Sequence, residues 1–232
     1  MKERLEQIQK QIEEVAAAAG RDPASVRLVT VSKTIPAERV REAAGLGVNI
    51  VGENYIQEVR EKFQQLSDLD LSWHFIGHLQ SNKAKYAVRM FSLIHSVDSL
   101  KLAQELDKQA GKNGKIQDIL IQLNISGEET KSGSDPENLK NLIMGMGELQ
   151  HIRVKGLMTM PPFFDDPDRA RPFFAELRKL RDHIKDEVLP HENLPNIQMD
   201  ELSMGMTGDF TAAIAEGATL VRIGTAIFGR RG

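Results

Sequence analysis

The sequence predicts an α/β protein, a single (β/α)8 TIM barrel with one extra helix at its N-terminus. Eight apolar, strand-like runs recur along the 232 residues, most of them separated by helix-like stretches. This alternation is typical of a parallel sheet. The runs are almost continuously apolar, which indicates strands buried on both faces. Because the length suits one barrel, we expect residues 1–232 to form one domain.

The elements follow in chain order from the hydrophobic pattern. The opening helix carries apolar residues spaced by three and four, namely Leu5, Ile8, Ile12 and Val15. It ends before Gly20 and Pro23. The eight predicted strands are Leu28–Val31, Asn49–Gly52, Trp73–Gly77, Leu93–Val97, Ile119–Ile125, Val154–Met160, Met199–Met204 and Thr219–Phe228. The helices predicted between them are Ala37–Leu46, Tyr55–Leu66, Leu100–Ala110, Pro136–Leu149, Arg169–Val188 and Asp209–Glu216.

Composition narrows the class of protein. A net charge of -3 provides no basic field for nucleic acid or anionic lipid, so neither is an expected partner. The chain contains no cysteine, which excludes disulfides and thiolate chemistry. No apolar run reaches membrane-spanning length, and the charged start of the chain does not suit a secretory signal. We therefore expect a cytoplasmic protein. An open doubly wound sheet is the alternative fold, but no G-x-G-x-x-G follows the first strand.

Lys33 ends the first predicted strand, just before Pro36. In a parallel barrel, the C-terminal ends of all strands open onto the face where active sites are built. A lysine there can extend to solvent as a structural residue. It can also be held in a pocket, where its uncharged amine attacks a carbonyl carbon. For a lysine alone the structural interpretation is favoured, and the polar residues that follow strands seven and eight reverse that preference.

The ends of strands seven and eight have the composition of a phosphate site. Ser203 offers a hydroxyl, and Gly205 lets backbone N–H groups approach a ligand closely. Gly224 and Thr225 repeat the pattern after strand eight. Either pair alone is better explained by turns and helix caps. Barrels, however, often bind phosphate at these two loops, so the two pairs together favour a phosphate site.

Arg222 connects this site to a cofactor. It lies two residues before Gly224 on the same strand, so both face the same way. A Schiff-base lysine, a phosphate site and a cation between them match the polar ends of pyridoxal 5'-phosphate (PLP). The aldehyde would meet Lys33 and the ring nitrogen would meet Arg222. An arginine there would keep the ring nitrogen unprotonated and weaken the electron sink that most PLP chemistry needs.

At these residues the chain resembles the pyridoxal phosphate homeostasis protein family. The segments that carry the resemblance are Val31–Thr34, Gly52–Asn54, His74–Lys83, Gly156–Met160, Leu202–Met206 and Val221–Gly229. The resemblance covers essentially the whole chain. It implies a barrel similar to the N-terminal domain of alanine racemases, with PLP at the C-terminal face of the strands.

The resemblance also implies roles for single residues. Lys33 matches the PLP lysine and Arg222 the arginine at the ring nitrogen. Asn54 and Met158 match positions of the cofactor pocket. The positions that match the family's phosphate-binding residues are Ser203, Gly205, Gly224 and Thr225. The family is regarded as a carrier or regulator of PLP, vitamin B6 and amino-acid balance, without established catalysis.

Three further residues are weaker candidates for a functional role. His74 and His78 are four residues apart, but they lie on a strand with no obvious third ligand, so we expect no metal site. His78 either lines the cofactor site or is a hydrogen-bonded structural histidine. Lys131 lies on the loop after strand five and could reach the pocket as a transfer lysine, although a solvated charge is the favoured interpretation.

The sequence leaves three functions open. The favoured one is a non-catalytic PLP carrier or regulator, a monomer whose partners are PLP and PLP-requiring apo-enzymes. The second is a PLP-dependent racemase or decarboxylase, which needs a second acid/base group. Only Tyr55 and Tyr86 could act as the tyrosine that racemases use, and no second domain to supply another is expected. The third is a Schiff-base aldolase without PLP, in which Arg222 would have no ring to contact.

Overall fold

Eight parallel strands close into a barrel in the computed structural model, which describes residues 1–128 and 131–229. The strands are β1 (Arg27–Val31), β2 (Ile50–Glu53), β3 (Ser72–Phe75), β4 (Leu93–Val97), β5 (Gln117–Leu123), β6 (Ile152–Thr159), β7 (Ile197–Met206) and β8 (Leu220–Ile223). Each strand pairs with its neighbours in chain order, and β1 pairs with β8 to close the ring. The predicted barrel is confirmed. The predicted domain also takes in 129–130 and 230–232, which lie outside the described residues.

Helices surround the barrel, and each of the six predicted between strands has a counterpart. The α-helices of the described chain are α1 (Lys2–Ala18), α2 (Ala37–Gly45), α3 (Ile56–Gln65), α4 (Ala84–Met90), α5 (Leu100–Lys112), α6 (Leu139–Gly147), α7 (Arg171–His183), α8 (Phe210–Ala215) and α9 (Thr225–Phe228). Of these, α4 and α9 are additional to the predicted helices. Within 1–128 and 131–229, none of the helices is long and apolar enough to cross a membrane.

Apolar side chains pack in two layers. The larger layer fills the space between the barrel and its helices, and α1 contributes Leu5, Ile8 and Ile12 to it. A smaller cluster takes one residue from each of six strands and fills the inside of the ring; its members are Val29, Ile50, Leu93, Leu120, Met158 and Leu220. Burying each such side chain contributes about 1.5–3 kcal/mol. The barrel is therefore a packed core rather than a pore, and a ligand has to bind at one end of it.

The extent predicted for the last strand is wrong. The run Thr219–Phe228 was predicted as a single strand, but β8 ends at Ile223 and Thr225–Phe228 forms α9. Gly224 separates the two, with a backbone conformation outside the strand region (φ -125, ψ -72). A short apolar run has no periodicity that distinguishes strand from helix, which explains the error.

Candidate functional site

The strands end at one face of the barrel, which we call the barrel mouth, and Lys33 lies there. Thr30 of β1 is in register with Ile223 of β8, so the residues that follow the two strands are neighbours. Lys33, Gly224 and Thr225 line one small pocket. The structure therefore brings together the lysine and one half of the phosphate site that the sequence predicts.

A buried ion pair lies directly behind Lys33. Glu53, at the end of β2, has no exposed surface, and its Oε1 accepts hydrogen bonds from Lys62 Nζ at 2.8 Å and Ser32 Oγ at 2.5 Å. Lys62 Nζ also donates to the Ser32 carbonyl at 2.7 Å. Burial raises the pKa of the Glu53 carboxyl, and Lys62 and Ser32 oppose that rise. The ion pair ties α3 to the ends of both β1 and β2.

Asn54 follows Glu53 at the mouth. Its side-chain Oδ1 is buried and has no hydrogen-bond partner among the described residues. A Cβ on Gly77 would lie 2.3 Å from the Asn54 carbonyl oxygen, so glycine lets the chain after β3 pack against this residue. A buried acceptor without a donor is costly, which makes Asn54 a candidate for binding a ligand that can donate a hydrogen bond.

Arg222 lies inside the barrel beneath the mouth and is only 3% exposed. Its Nη1 donates to Ser203 Oγ at 2.6 Å, and its Nη2 donates to the Thr159 carbonyl at 3.0 Å. Burial lowers the pKa of Arg222 to about 10, and nearby Asp209 opposes that shift. The guanidinium therefore stays charged at neutral pH. It has five N–H groups, so it retains donors for a further acceptor.

A series of buried hydrogen bonds continues beyond Arg222. Because an arginine only donates, Ser203 Oγ accepts from it, and the same oxygen lies at hydrogen-bond distance, 2.8 Å, from His95 Nδ1. His95 Nε2 in turn lies 3.0 Å from His74 Nδ1, so one of these two nitrogens carries the shared proton. Burial lowers the pKa of His74 to about 3 and that of His95 well below its usual value, so both rings are neutral.

Two predicted cofactor residues are buried below the mouth. Ser203 has no exposed surface, and its hydroxyl accepts from Arg222 and shares a hydrogen bond with His95. Met158 is fully buried in the inner cluster of the barrel. The phosphate contact expected of Ser203 and the cofactor contact expected of Met158 stay predictions.

Thr207 is a candidate site residue that sequence reasoning missed. Its hydroxyl lies 3.4 Å from that of Thr225, and both side chains are exposed at the mouth. The end of β7, two residues before Thr207, is tightly packed. Gly205 has φ +89, and a Cβ there would lie 2.6 Å from Ala213 Cβ. The position of Thr207 just before the predicted helix Asp209–Glu216 was the available signal.

The other predicted residues lie apart from this group. His74 points into the barrel as part of the buried chain, whereas His78 is exposed. Within the described residues, no group of three histidines or acidic residues could hold a metal ion. Lys131 Nζ lies 3.5 Å from Glu128 Oε2, and the intervening residues 129–130 fall outside the described chain. The role of Lys131 as a transfer lysine stays a prediction.

The residues at the mouth fit the chemistry of PLP. A lysine amine can condense with an aldehyde, and a buried guanidinium with spare donors can contact a ring nitrogen. Asn54 supplies an acceptor that has no partner among the residues that the structure describes, suited to a ring hydroxyl. Thr207 and Thr225 supply paired hydroxyls at the strand ends where barrels bind phosphate.

Comparison with known proteins agrees with the barrel and identifies the family. The family described as alanine racemase, N-terminal domain, matches residues 4–232. The pyridoxal phosphate homeostasis protein of Aquifex aeolicus is 47% identical over 229 residues, which covers 99% of this chain and 97% of that protein. The protein of the same name from Pseudomonas aeruginosa is 44% identical over 229 residues, 99% of this chain and 95% of that protein.

A solved structure extends the likeness to three dimensions. PipY of Synechococcus elongatus PCC7942, determined with PLP bound, is 38% identical and superposes with a TM-score of 0.81. The superposition covers 94% of this chain and all of that one (100%). Taken together, the matching domain family and the relatives aligned over nearly their full length show that this chain belongs to the pyridoxal phosphate homeostasis proteins.

Proposed function

We propose that this protein holds PLP as a Schiff base on Lys33 and acts in intracellular PLP and amino-acid homeostasis. The Lys33 amine would condense with the aldehyde of PLP, forming a C=N bond and releasing one water. The names of its relatives and the PLP in the PipY structure support this cofactor. The observation that carries the proposal is the common pocket of Lys33, Gly224 and Thr225.

The remaining groups would each contact one part of PLP. Arg222 would donate to the ring nitrogen, and the unpartnered Oδ1 of Asn54 would accept from the ring hydroxyl. The phosphate would be bound by Thr207 and Thr225, with the backbone at Gly205 and Gly224. Bound PLP would supply a reactive aldehyde carbon, and the described side chains would fix its orientation.

A carrier is favoured over an enzyme because of Arg222. The guanidinium is held by Ser203 and Thr159, and its charge would keep the ring nitrogen of bound PLP unprotonated. PLP enzymes usually use an acidic partner there, because a protonated ring accepts electrons better. We therefore propose storage, delivery or sensing of PLP without turnover. We further propose a cytoplasmic monomer whose protein partners are PLP-requiring apo-enzymes.

The test combines binding, transfer and turnover in one series. The purified protein is titrated with PLP, and the absorbance band of lysine-bound PLP is followed. It is then mixed with an apo-enzyme that needs PLP, and recovery of that enzyme's activity is measured. In parallel, the loaded protein is incubated with a panel of amino acids while racemised and decarboxylated products are assayed. We expect a band, reactivation and no product.

Each hypothesis fails on a different result. If no band forms with added PLP, PLP binding itself is wrong. If an amino acid is turned over, and Tyr55→Phe or Tyr86→Phe abolishes that turnover, the protein is an enzyme. If the band forms but no apo-enzyme is reactivated, delivery is wrong. A colourless protein whose Lys33 reacts with sugar-phosphate aldehydes would instead be an aldolase.

A further inference from the structure

The chain turns sharply at Lys33. The Ile35 N–H donates to the Ser32 carbonyl at 3.0 Å, which closes a four-residue turn with Lys33 and Thr34 at its centre. Thr34 has φ +63 and is the only residue other than glycine with a positive φ in the described chain. A positive φ at the third position of such a turn normally calls for glycine, since branched residues are disfavoured in this region by about tenfold. The Ser32–Ile35 turn is therefore strained.

Two side chains of α3 hold the strained turn. Glu58 Oε1 accepts the Thr34 N–H at 2.7 Å, and Lys62 Nζ donates to the Ser32 carbonyl at 2.7 Å. The first contact lies just after Lys33 and the second just before it. A carboxylate that accepts a backbone N–H forms a charge-assisted hydrogen bond, stronger than a neutral one. Glu58 is thus placed to keep Thr34 in a conformation that its own side chain disfavours.

We propose that Glu58 is a positioning residue for Lys33: by holding the Thr34 N–H, it fixes the turn that directs the Lys33 amine toward the barrel mouth. This inference rests on the proposed function of Lys33. Backbone strain persists only where the surrounding structure holds it, and it clusters at binding sites. Without the Glu58 carboxylate, the turn can relax to a negative φ at Thr34, which rotates the peptide next to Lys33 and moves its side chain.

The prediction is that Glu58→Ala weakens PLP binding and slows covalent attachment. Loss of a hydrogen bond to a charged group corresponds to a change of about tenfold or more. Glu58→Gln keeps an oxygen that can accept the Thr34 N–H, so its loss should be smaller. The matched control is Glu61→Ala, which removes an exposed glutamate from the same helix. PLP affinity, the rate at which the absorbance band appears and the thermal unfolding midpoint are measured for each variant.

A rescue separates positioning from general stability. Thr34→Gly removes the penalty for a positive φ, so the turn should no longer depend on Glu58. In the Glu58→Ala background, Thr34→Gly should recover most of the lost affinity and rate. A change in overall stability alone would not be reversed in this way. The inference is overturned if Glu58→Ala binds PLP like the wild type, or if Thr34→Gly fails to restore binding in the double variant.

Failure of this inference differs from failure of the proposed function. Lys33→Met should abolish the band whatever the role of Glu58. If wild-type protein shows no band, the proposed function is wrong. If the wild type shows the band, Lys33→Met lacks it and Glu58→Ala is unchanged, only the positioning role is wrong.

Discussion

The guanidinium of Arg222 orders a chain of buried side chains beneath the mouth. Because it only donates, Ser203 accepts from it, and hydrogen bonds link Ser203 to His95 and His95 to His74. Each imidazole is neutral at neutral pH because burial lowers its pKa. The chain holds Arg222 in place without introducing a second buried charge.

The neutral histidines predict a pH-dependent stability. Burial lowers the pKa of His74 from 6.5 to about 3 and lowers the pKa of His95 as well. Below about pH 6.5, these two histidines therefore bind protons in the unfolded chain but not in the folded protein. Stability from these groups is complete above the unfolded pKa and is lost as the pH falls from about 6.5 toward 3, at up to about 1.4 kcal/mol per pH unit for each ring.

Chemical unfolding at a series of pH values between 7 and 4 checks this expectation. His95→Gln removes one ring but keeps an amide that can accept and donate, so its stability should fall less steeply with decreasing pH. His191→Gln, at an exposed position, serves as the control and should match the wild-type slope. A wild-type slope equal to that of His95→Gln would contradict the assignment of neutral, buried rings.

Some of these residues could be predicted from the sequence and others could not. Lys33 and Arg222 were found because each lies at the end of a strand, and strand ends converge in a parallel barrel. His95 and Glu58 were missed because their importance depends on contacts across 108 and 24 positions of the chain. No local pattern reports such contacts. Thr207 was missed because only the fold places its hydroxyl next to that of Thr225, which makes the two a candidate phosphate-binding pair.

At the scale of elements, α3 is tied to the barrel by the Lys62–Glu53 ion pair. Lys62→Met leaves a buried carboxylate without its partner, which should lower the free energy of unfolding at pH 7 by about 3–5 kcal/mol. The double variant Lys62→Met/Glu53→Gln carries neither charge of this pair and should be less destabilised. Denaturant unfolding measures both.

The pH provides an independent check on the same ion pair. Burial already raises the pKa of Glu53, and removing Lys62 should raise it further. In Lys62→Met the folded protein would then bind a proton at a higher pH than the unfolded chain does. Its deficit relative to the wild type should therefore shrink as the pH falls from 7 to 5. A deficit that grows over this range would contradict a buried, unpaired carboxylate.

The end of β7 and the loop that follows it predict a contrast between two glycines. Gly205 has φ +89, and an added Cβ would lie 2.6 Å from Ala213 Cβ and 3.0 Å from Phe210 Cα. Gly208 has no atom within 4 Å of such a Cβ. Gly205→Ala should lower the free energy of unfolding by about 1–3 kcal/mol and weaken PLP binding, whereas Gly208→Ala should be nearly neutral. Thermal unfolding and PLP titration test both variants, and equal effects would refute the packing argument.

The order of strands and helices was predictable because each element carries its own period of apolar residues. The boundaries of the strands and helices were less predictable than their order. The extent predicted for the last strand was wrong because a four-residue helix of apolar residues, Thr225–Phe228, continues an apolar run. Only the conformation of Gly224 divides them.

At the scale of the whole molecule, closure of the ring brings the residues after the first and last strands together at the site. Lys33 follows the first strand and Thr225 follows the last, and pairing of β1 with β8 makes them neighbours. We expect the protein to sediment as a monomer near its mass of 25.9 kDa, with and without PLP. Analytical ultracentrifugation at several concentrations measures this, and a concentration-dependent dimer would contradict the monomer proposal.

The central claim is that Lys33 holds PLP covalently, and trapping the bond tests it most directly. The protein is loaded with PLP, reduced with borohydride, digested and mapped by mass spectrometry. We predict one modified peptide that carries pyridoxyl phosphate on Lys33, its loss in Lys33→Met, and its retention in Lys131→Met. Modification of another lysine in its place, or a band that persists in Lys33→Met, would contradict the account.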